Sequence, residues 1–156
     1  MISPENLEPS IIKTLRNSGY RATPQRIAIS KYVLRNQEHP TAQKAYLEVK
    51  KMHPTVSLAT IYTTIRILKE TGLILELNLP QGQTRFDPNT EPHAHLLCLH
   101  CGSISDWTDP KILKLITTIS DDANFTVTGL RLDINGICDS CGKKDETTAS
   151  KATANE

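Results

Sequence analysis

Residues 85–106 read RFDPNTEPHAHLLCLHCGSISD, and the rest of the chain is organised around this stretch. It contains two aspartates, three histidines and a Cys-x-x-Cys pair, although the whole chain has only five histidines and four cysteines. A second Cys-x-x-Cys pair, Cys138 and Cys141, follows near the C-terminus. Side chains of these types are the usual metal ligands of proteins. We therefore predict two metal sites, one structural and one regulatory.

The composition, with 38% hydrophobic and 4% aromatic residues, is that of a soluble protein. No apolar run approaches the ~18 residues that a membrane helix needs. The N-terminus, MISPENLEPS, lacks the basic and apolar segments of a signal peptide, so we expect a cytoplasmic protein. In that reducing compartment, paired cysteines favour a metal over disulfides.

Charge is distributed unevenly along the chain. Residues 1–80 carry a net charge of +5, whereas residues 81–156 carry −4. A basic half joined to an acidic half indicates that the first half binds a polyanion.

The first half of the sequence predicts four helices followed by a hairpin. Thr23, Thr41 and Ser57 are candidate N-caps of the second, third and fourth helices, and Gly72 ends the fourth. Two short strands, at about 73–78 and 83–87, follow and are joined by a Pro-Gln-Gly turn. A helix-turn-helix with a hairpin beside it is the winged-helix arrangement, which binds double-stranded DNA.

The outward face of the fourth helix is expected to carry small hydroxyl groups together with arginine and lysine. Such side chains suit a helix that contacts phosphates and base edges in a major groove. An ordinary solvated helix face is the alternative interpretation. The candidate DNA-contact residues are Arg21, Ser57, Thr60, Tyr62, Thr63, Thr64 and Arg66.

Two Cys-x-x-Cys pairs, each followed by a glycine, predict a tetrahedral site with four sulfur ligands. Zn(II) prefers this shell, and four protein ligands leave no position for a substrate, so the zinc is expected to be structural. Disulfides and thiol redox chemistry remain alternatives at this point. The predicted zinc ligands are Cys98, Cys101, Cys138 and Cys141.

His93 and His95 are two residues apart on a predicted strand, so their imidazoles point to the same face. Cys98 would face the other way, which separates the two metal sites. Nitrogen and carboxylate ligands suit Fe(II), Mn(II) or Zn(II). The candidate ligands of this regulatory site are His39, Asp87, His93, His95 and Asp106, whereas His53 and His100 are expected to be non-ligands.

The second half predicts a strand–strand–helix–strand unit, with a helix from Pro110 to about Ser120 and a strand over 124–138. We therefore expect an α+β protein. Its predicted segments are a winged-helix domain at 1–86, a hinge at 87–92, a small zinc-bound α/β domain at 93–143, and a disordered tail at 144–156.

Six sequence segments, in the same order, resemble the ferric uptake regulator (Fur) superfamily: RATPQR, HPTA, VSLATIYTTIRILKETGLI, RFD, HAHLLCLHCG and GICDSCG. The resemblance covers about residues 10–143. It implies a homodimeric, metal-dependent DNA-binding repressor that recognises inverted-repeat operators and is not an enzyme. The α/β domain at 93–143 would then be its dimerisation and metal-sensing domain. It also implies that His39 is a ligand of the regulatory metal.

Within the superfamily, the sequence is most similar to the peroxide-sensing PerR branch. Asp87 and Asp106 stand where iron-sensing members usually carry glutamates. Ala94 and Leu130 occupy positions from which many Fur proteins draw a further metal site, so that site is expected to be absent. The chain departs from the branch at Thr63 and Thr64, where peroxide sensors usually show two asparagines, so the operator sequence cannot be carried over.

The resemblance implies a mechanism in which Fe(II) at the regulatory site reacts with peroxide. His39 and His93 would then be oxidised to 2-oxo-histidine, the metal would be lost and the dimer would release DNA. Mn(II) would support DNA binding without this chemistry. The alternatives are an iron, zinc or manganese uptake regulator, a His/Asp metalloenzyme, and a zinc-containing protein-interaction module.

Overall fold

The structure is a computed structural model that describes residues 6–79 and 82–143. The chain divides into two compact units between Thr90 and Glu91, a position inside the segment 87–92. The predicted tail at 144–156 lies outside the described residues. Among the helices of the described part of the chain, none combines the length and the apolar content needed to cross a membrane.

The N-terminal unit consists of four helices and a hairpin. Its elements are α1 (Leu7–Asn17), α2 (Pro24–Arg35), α3 (Ala42–Met52), α4 (Leu58–Glu70), β1 (Leu75–Asn78) and β2 (Thr84–Asp87). β1 and β2 pair in an antiparallel two-stranded sheet. The three predicted N-caps are confirmed, because the side chains of Thr23, Thr41 and Ser57 each accept a hydrogen bond from the backbone N–H three residues later. Such a cap stabilises a helix by about 1 kcal/mol.

One apolar cluster joins three of these helices to the hairpin. α4 packs against α2 and α3, and Phe86 of β2 is buried in the same cluster. Burial of each aliphatic side chain contributes about 1.5–3 kcal/mol, so this cluster fixes the orientation of α4. Its fully buried members from the three helices are Ile29, Val33, Ala45, Ile61 and Leu68.

The C-terminal unit contains β3 (Ala94–Cys98), β4 (Ile104–Trp107), α5 (Pro110–Ala123) and β5 (Leu132–Gly136). The strand order is β4-β3-β5, with β3 antiparallel to β4 and parallel to β5. A parallel pair needs a long crossover connection, which α5 supplies here. The predicted α+β class and the strand–strand–helix–strand order are confirmed.

The last strand is shorter than the sequence predicted. We expected a strand over 124–138, but only Leu132–Gly136 forms β5. Its partner β3 begins at Ala94, which lies opposite Leu132, so the residues before Leu132 have no strand beside them. The preceding helix also runs further than expected, to Ala123, and ends at Asn124 in the left-handed conformation with φ 49°.

Candidate metal centres

His93 and His95 direct the same ring nitrogen toward each other. Their Nε2 atoms are 2.9 Å apart, the ring centroids are 4.4 Å apart, and both residues are 3% exposed. Two imidazole nitrogens this close and this buried form an unfavourable arrangement unless a proton or a cation lies between them. The predicted common face of the two imidazoles is confirmed.

Each of these imidazoles has an acceptor beside its other nitrogen. Nδ1 of His93 lies 2.7 Å from the backbone carbonyl oxygen of Glu91, and Nδ1 of His95 lies 3.3 Å from Oδ1 of Asp133. A neutral imidazole has one N–H and one lone pair. If Nδ1 carries the proton in both rings, both Nε2 atoms are left as metal ligands.

Asp106 adds a carboxylate to the two imidazoles. It lies directly opposite His95 in the β3–β4 pair, and its Oδ1 is 3.6 Å from Nε2 of His93. Each of the three side chains offers one ligand atom, and these atoms lie within 4.8 Å of one another. The C-terminal unit thus brings together three of the predicted regulatory ligands.

Asp133 is a site residue that the sequence analysis did not identify. It lies opposite His95 on the β5 side, as Asp106 does on the β4 side, so the three side chains stand in one row across the sheet. The alternation along LRLDI placed Asp133 away from the leucines. Only the pairing of β5 with β3 places Asp133 beside a histidine, and the residue pattern within β5 does not predict that pairing.

The N-terminal unit brings together the other two predicted ligands, His39 and Asp87. Nε2 of His39 lies 3.7 Å from Oδ1 of Asp87, and both side chains are 1% exposed. Asp87 ends β2, and the N–H of Phe86 donates to the carbonyl oxygen of Pro40, which fixes the strand against the loop that carries His39. The donor set suits Fe(II), Mn(II) or Zn(II).

The backbone of His39 is strained. Its φ is 51°, in the left-handed region that non-glycine residues rarely adopt, and a proline follows it. Such a conformation costs about 1–3 kcal/mol and persists only where its surroundings enforce it. Here the Nη1 atom of Arg85 lies 3.4 Å from the His39 carbonyl oxygen and donates to it.

The four cysteines form the second cluster, which lies in the C-terminal unit. Their sulfur atoms lie within 4.8 Å of one another, and all four cysteines are free thiols. Cys98 ends β3, Cys138 lies after β5, and Cys141 lies in the short helix at 139–143 that follows. These sulfurs fit a tetrahedral Zn(II) ion. His53 and His100 belong to neither cluster.

Hydrogen bonds from the backbone favour the thiolate form of one cysteine in the cluster, Cys98. The backbone N–H groups of Cys138 and Cys101 lower the pKa of the Cys98 thiol to about 6. The Cys138 side chain, followed by burial, raises the pKa of the Cys141 thiol to about 12. Thiolates crowded together oppose each other's ionisation, so the fully ionised set requires a cation.

Most of the candidate DNA-contact residues are accessible. Arg21, Ser57, Tyr62 and Arg66 are exposed, and Thr60 and Thr63 are partly exposed. Arg66 also approaches the Tyr20 hydroxyl, with 3.3 Å between Nη2 and the oxygen.

The expected outward position of Thr64 is wrong. Thr64 is 0% exposed, and its hydroxyl donates to the Thr60 carbonyl oxygen at 2.7 Å. It lies one helical turn from both Ile61 and Leu68, within the apolar stripe that packs into the core. A threonine with its hydroxyl bonded to the helix backbone is tolerated in such a stripe.

The sequence model described as the Ferric uptake regulator family matches residues 17–135. The peroxide-responsive repressor PerR of Staphylococcus aureus is 38% identical over 138 residues, which are 88% of this chain and 93% of that protein.

Two solved structures are similar as well. A Campylobacter jejuni peroxide stress regulator is 30% identical with a TM-score of 0.69, and the match covers 90% of this chain and 100% of that chain. A ferric uptake regulator from Francisella tularensis, solved with iron, is 26% identical with a TM-score of 0.66, and the match covers 79% and 95% of the two chains.

Proposed function

The chain belongs to the ferric uptake regulator family, and on this premise we propose that it is a metal-dependent repressor that releases DNA in response to peroxide. Members of the family are transcriptional regulators and not enzymes. The observation that carries the proposal is the buried pair of His93 and His95, whose Nε2 atoms are 2.9 Å apart beside the Asp106 carboxylate. The likeness to a peroxide-responsive repressor and to a peroxide stress regulator supports the peroxide response.

We propose that the regulatory site holds Fe(II) or Mn(II). Nitrogen and carboxylate oxygen donors suit both ions, and neither donor type favours the softer ions that thiolates select. The C-terminal unit contributes a convergent set of three ligand atoms, and the N-terminal unit contributes a buried imidazole and carboxylate. The proposed ligands are His39, Asp87, His93, His95 and Asp106.

The oxidation-sensitive residues in this proposal are His39 and His93. Bound Fe(II) would pass an electron to peroxide next to these rings and recover one from the attacked ring, so that the ring itself is the two-electron reductant overall. The net change would insert one peroxide oxygen at an imidazole carbon, giving 2-oxo-histidine, and release the other oxygen as water. A ring altered in this way would lose its place in the ligand set, so the ion would leave and DNA affinity would fall.

We propose that Cys98, Cys101, Cys138 and Cys141 hold a structural Zn(II). Four free thiols with sulfurs this close support the assignment, because four protein ligands close the tetrahedral shell. We propose a cytoplasmic location, where cysteines stay reduced and can hold a metal. The ion would join the end of β3 to the segment after β5.

We propose that two copies of the chain bind an inverted-repeat operator through α4. Family members bind DNA as dimers, and the two-fold symmetry of a dimer matches that of an inverted repeat. The exposed side chains on and near α4 are those that can reach phosphates and base edges. The proposed contacts are Arg21, Ser57, Thr60, Tyr62, Thr63 and Arg66.

The decisive experiment is peptide mass spectrometry of the Fe(II)-loaded protein after brief exposure to peroxide, with the Mn(II)-loaded protein as the matched control. We expect one added oxygen atom on His39 or His93 in the iron sample alone, together with loss of operator binding. Unmodified histidines in a protein whose bound metal still controls DNA binding would contradict peroxide sensing. They would identify the protein as an iron, zinc or manganese uptake regulator.

A further inference from the structure

Asp133 and Arg131 lie behind the imidazole of His95, on the side away from His93. We propose that Asp133 is a positioning residue that keeps the proton of His95 on Nδ1, so that Nε2 is always available to the regulatory metal. The inference rests on the proposed function, because it takes His95 to be a metal ligand.

The sheet itself sets the distance between Asp133 and His95. Parallel pairing places the two residues opposite each other on β5 and β3, and Oδ1 of Asp133 lies 3.3 Å from Nδ1 of His95. His95 is buried, whereas the Asp133 side chain is 26% exposed. The two atoms are within ion-pair distance but lack the alignment of a hydrogen bond, and the negative charge of the carboxylate favours a proton on the nitrogen that faces it.

Arg131 holds the second oxygen of the same carboxylate. Its Nε and Nη2 atoms lie 2.8 and 2.7 Å from Oδ2 of Asp133, and both can only donate. The carboxylate is therefore fixed with one oxygen toward the guanidinium and the other toward the imidazole. The order of contacts is Arg131, Asp133, His95.

With the regulatory metal bound, both histidines carry their proton on Nδ1, but the acceptor that faces Nδ1 differs between them. Nδ1 of His93 faces the Glu91 backbone carbonyl oxygen at 2.7 Å, which no substitution of a side chain removes. Nδ1 of His95 faces a side chain, which can be replaced. Carboxylates that hold metal-binding histidines in this way typically change metal affinity by about 10–100-fold when they are mutated.

The contact with Arg131 makes the asparagine variant more informative than the alanine variant. In Asp133→Asn, the arginine donors require the amide oxygen on their side, so the amide NH₂ turns toward Nδ1 of His95. That NH₂ would donate to Nδ1 and move the imidazole proton to Nε2, the ligand atom. In Asp133→Ala, the imidazole of His95 loses the carboxylate that faces Nδ1, but no new donor moves its proton to Nε2.

The experiment is a Mn(II) titration of the full-length, zinc-loaded protein and its variants. We expect an affinity loss of about tenfold for Asp133→Ala and nearer 100-fold for Asp133→Asn. This order is diagnostic, since a role in packing alone would favour the isosteric asparagine over alanine. In the metal-free regulatory site, ¹⁵N NMR of the His95 ring should show the proton on Nδ1 in the parent chain and on Nε2 in Asp133→Asn.

Asp121→Asn, a substitution of the same type at an exposed position on α5, is the matched control and should bind Mn(II) like the parent chain. Tighter binding by Asp133→Asn than by Asp133→Ala, or an unchanged His95 proton position, overturns the inference. The His95→Ala variant distinguishes failure of this inference from failure of the proposed ligand set. If His95→Ala loses Mn(II) while Asp133→Asn binds normally, only the inference fails; if both bind normally, His95 is not a ligand and the proposed ligand set fails with it.

Discussion

Two clusters of metal-ligand residues lie near the two ends of strand β3, one around His95 and the other around Cys98. All four ligand atoms of the sulfur cluster come from the C-terminal unit, and four such ligands would complete a tetrahedral shell by themselves. The imidazole cluster has three convergent ligand atoms in the same unit, and its proposed remaining ligands come from the N-terminal unit. A complete shell suits a permanent ion, whereas three ligand atoms leave coordination positions open.

The groups that surround the two clusters also differ: they are hydrogen-bond donors around Cys98 and acceptors around the imidazoles. Backbone N–H groups surround the Cys98 sulfur and lower its pKa to about 6, so negative charge is favoured there. Around the imidazoles, the groups that face the two Nδ1 atoms are acceptors, namely the Glu91 carbonyl and the Asp133 carboxylate, which favour a proton on Nδ1 and leave Nε2 for a metal. We therefore expect the sulfur cluster to hold its ion more tightly than the imidazole cluster does.

The largest effect should come from opening the sulfur shell with Cys141→Ser. Structural zinc contributes about 10–16 kcal/mol to small metal-dependent folds, which equals or exceeds the whole stability of a typical domain. We expect bound zinc to be lost and the C-terminal unit to unfold. Trp107, the only tryptophan, lies in that unit on β4, so its fluorescence reports the unfolding directly.

The control for this experiment is His100→Ala, which removes a side chain between the two cysteines of the first pair without removing a predicted ligand. Its zinc content and its Trp107 fluorescence should equal those of the parent chain. A folded Cys141→Ser protein that retains its zinc would show that three sulfurs suffice to hold the ion. The sulfur cluster would then not differ from the imidazole cluster in needing a complete ligand shell.

The next effect should come from His95→Ala, which removes a proposed ligand of the regulatory site. Loss of one ligand from a weak site should lower Mn(II) affinity by more than the ~10–100-fold typical of supporting residues. Zinc content and Trp107 fluorescence should stay unchanged, because the sulfur shell is independent of this side chain. His53→Ala, a histidine outside both clusters, should leave the Mn(II) titration unchanged.

A smaller effect is expected from Asp87→Glu, which keeps the carboxylate but lengthens its arm by one methylene. Shifting a group by about 1 Å at a reacting centre can lower a rate by up to ~100-fold. We expect metal-dependent DNA binding to survive and the oxidation of His39 and His93 by peroxide to slow. The rate of oxygen incorporation, followed by mass spectrometry, measures the effect, and an unchanged rate would contradict a role for the short aspartate arm.

Local sequence rules predicted those features that depend on near neighbours along the chain. The N-caps Thr23, Thr41 and Ser57 follow from a side chain and an N–H three residues apart, and the two Cys-x-x-Cys pairs follow from the geometry of a single turn. The common face of His93 and His95 follows from the two-residue period of a strand.

Features that depend on tertiary pairing were missed. Thr64 is polar, yet it faces the core because α4 packs against α2 and α3 over a stripe wider than its apolar residues indicate. Asp133 lies beside His95 only because β5 pairs with β3 in this register. The length of β5 is set by where β3 begins, and no pattern within residues 124–138 encodes that limit.

The smallest expected effect lies outside both clusters, at Arg66 on α4. Arg66→Ala should leave zinc content and Mn(II) affinity unchanged, because the side chain is exposed and belongs to neither cluster. If Arg66 contacts a phosphate, the slope of log affinity for operator DNA against log salt should fall by about 1. Lys51→Ala, which removes an exposed cation paired with Glu48 on α3, is the matched control and should keep the parent slope. An unchanged slope in Arg66→Ala would remove this residue from the DNA contact, while metal binding at both clusters would stand as before.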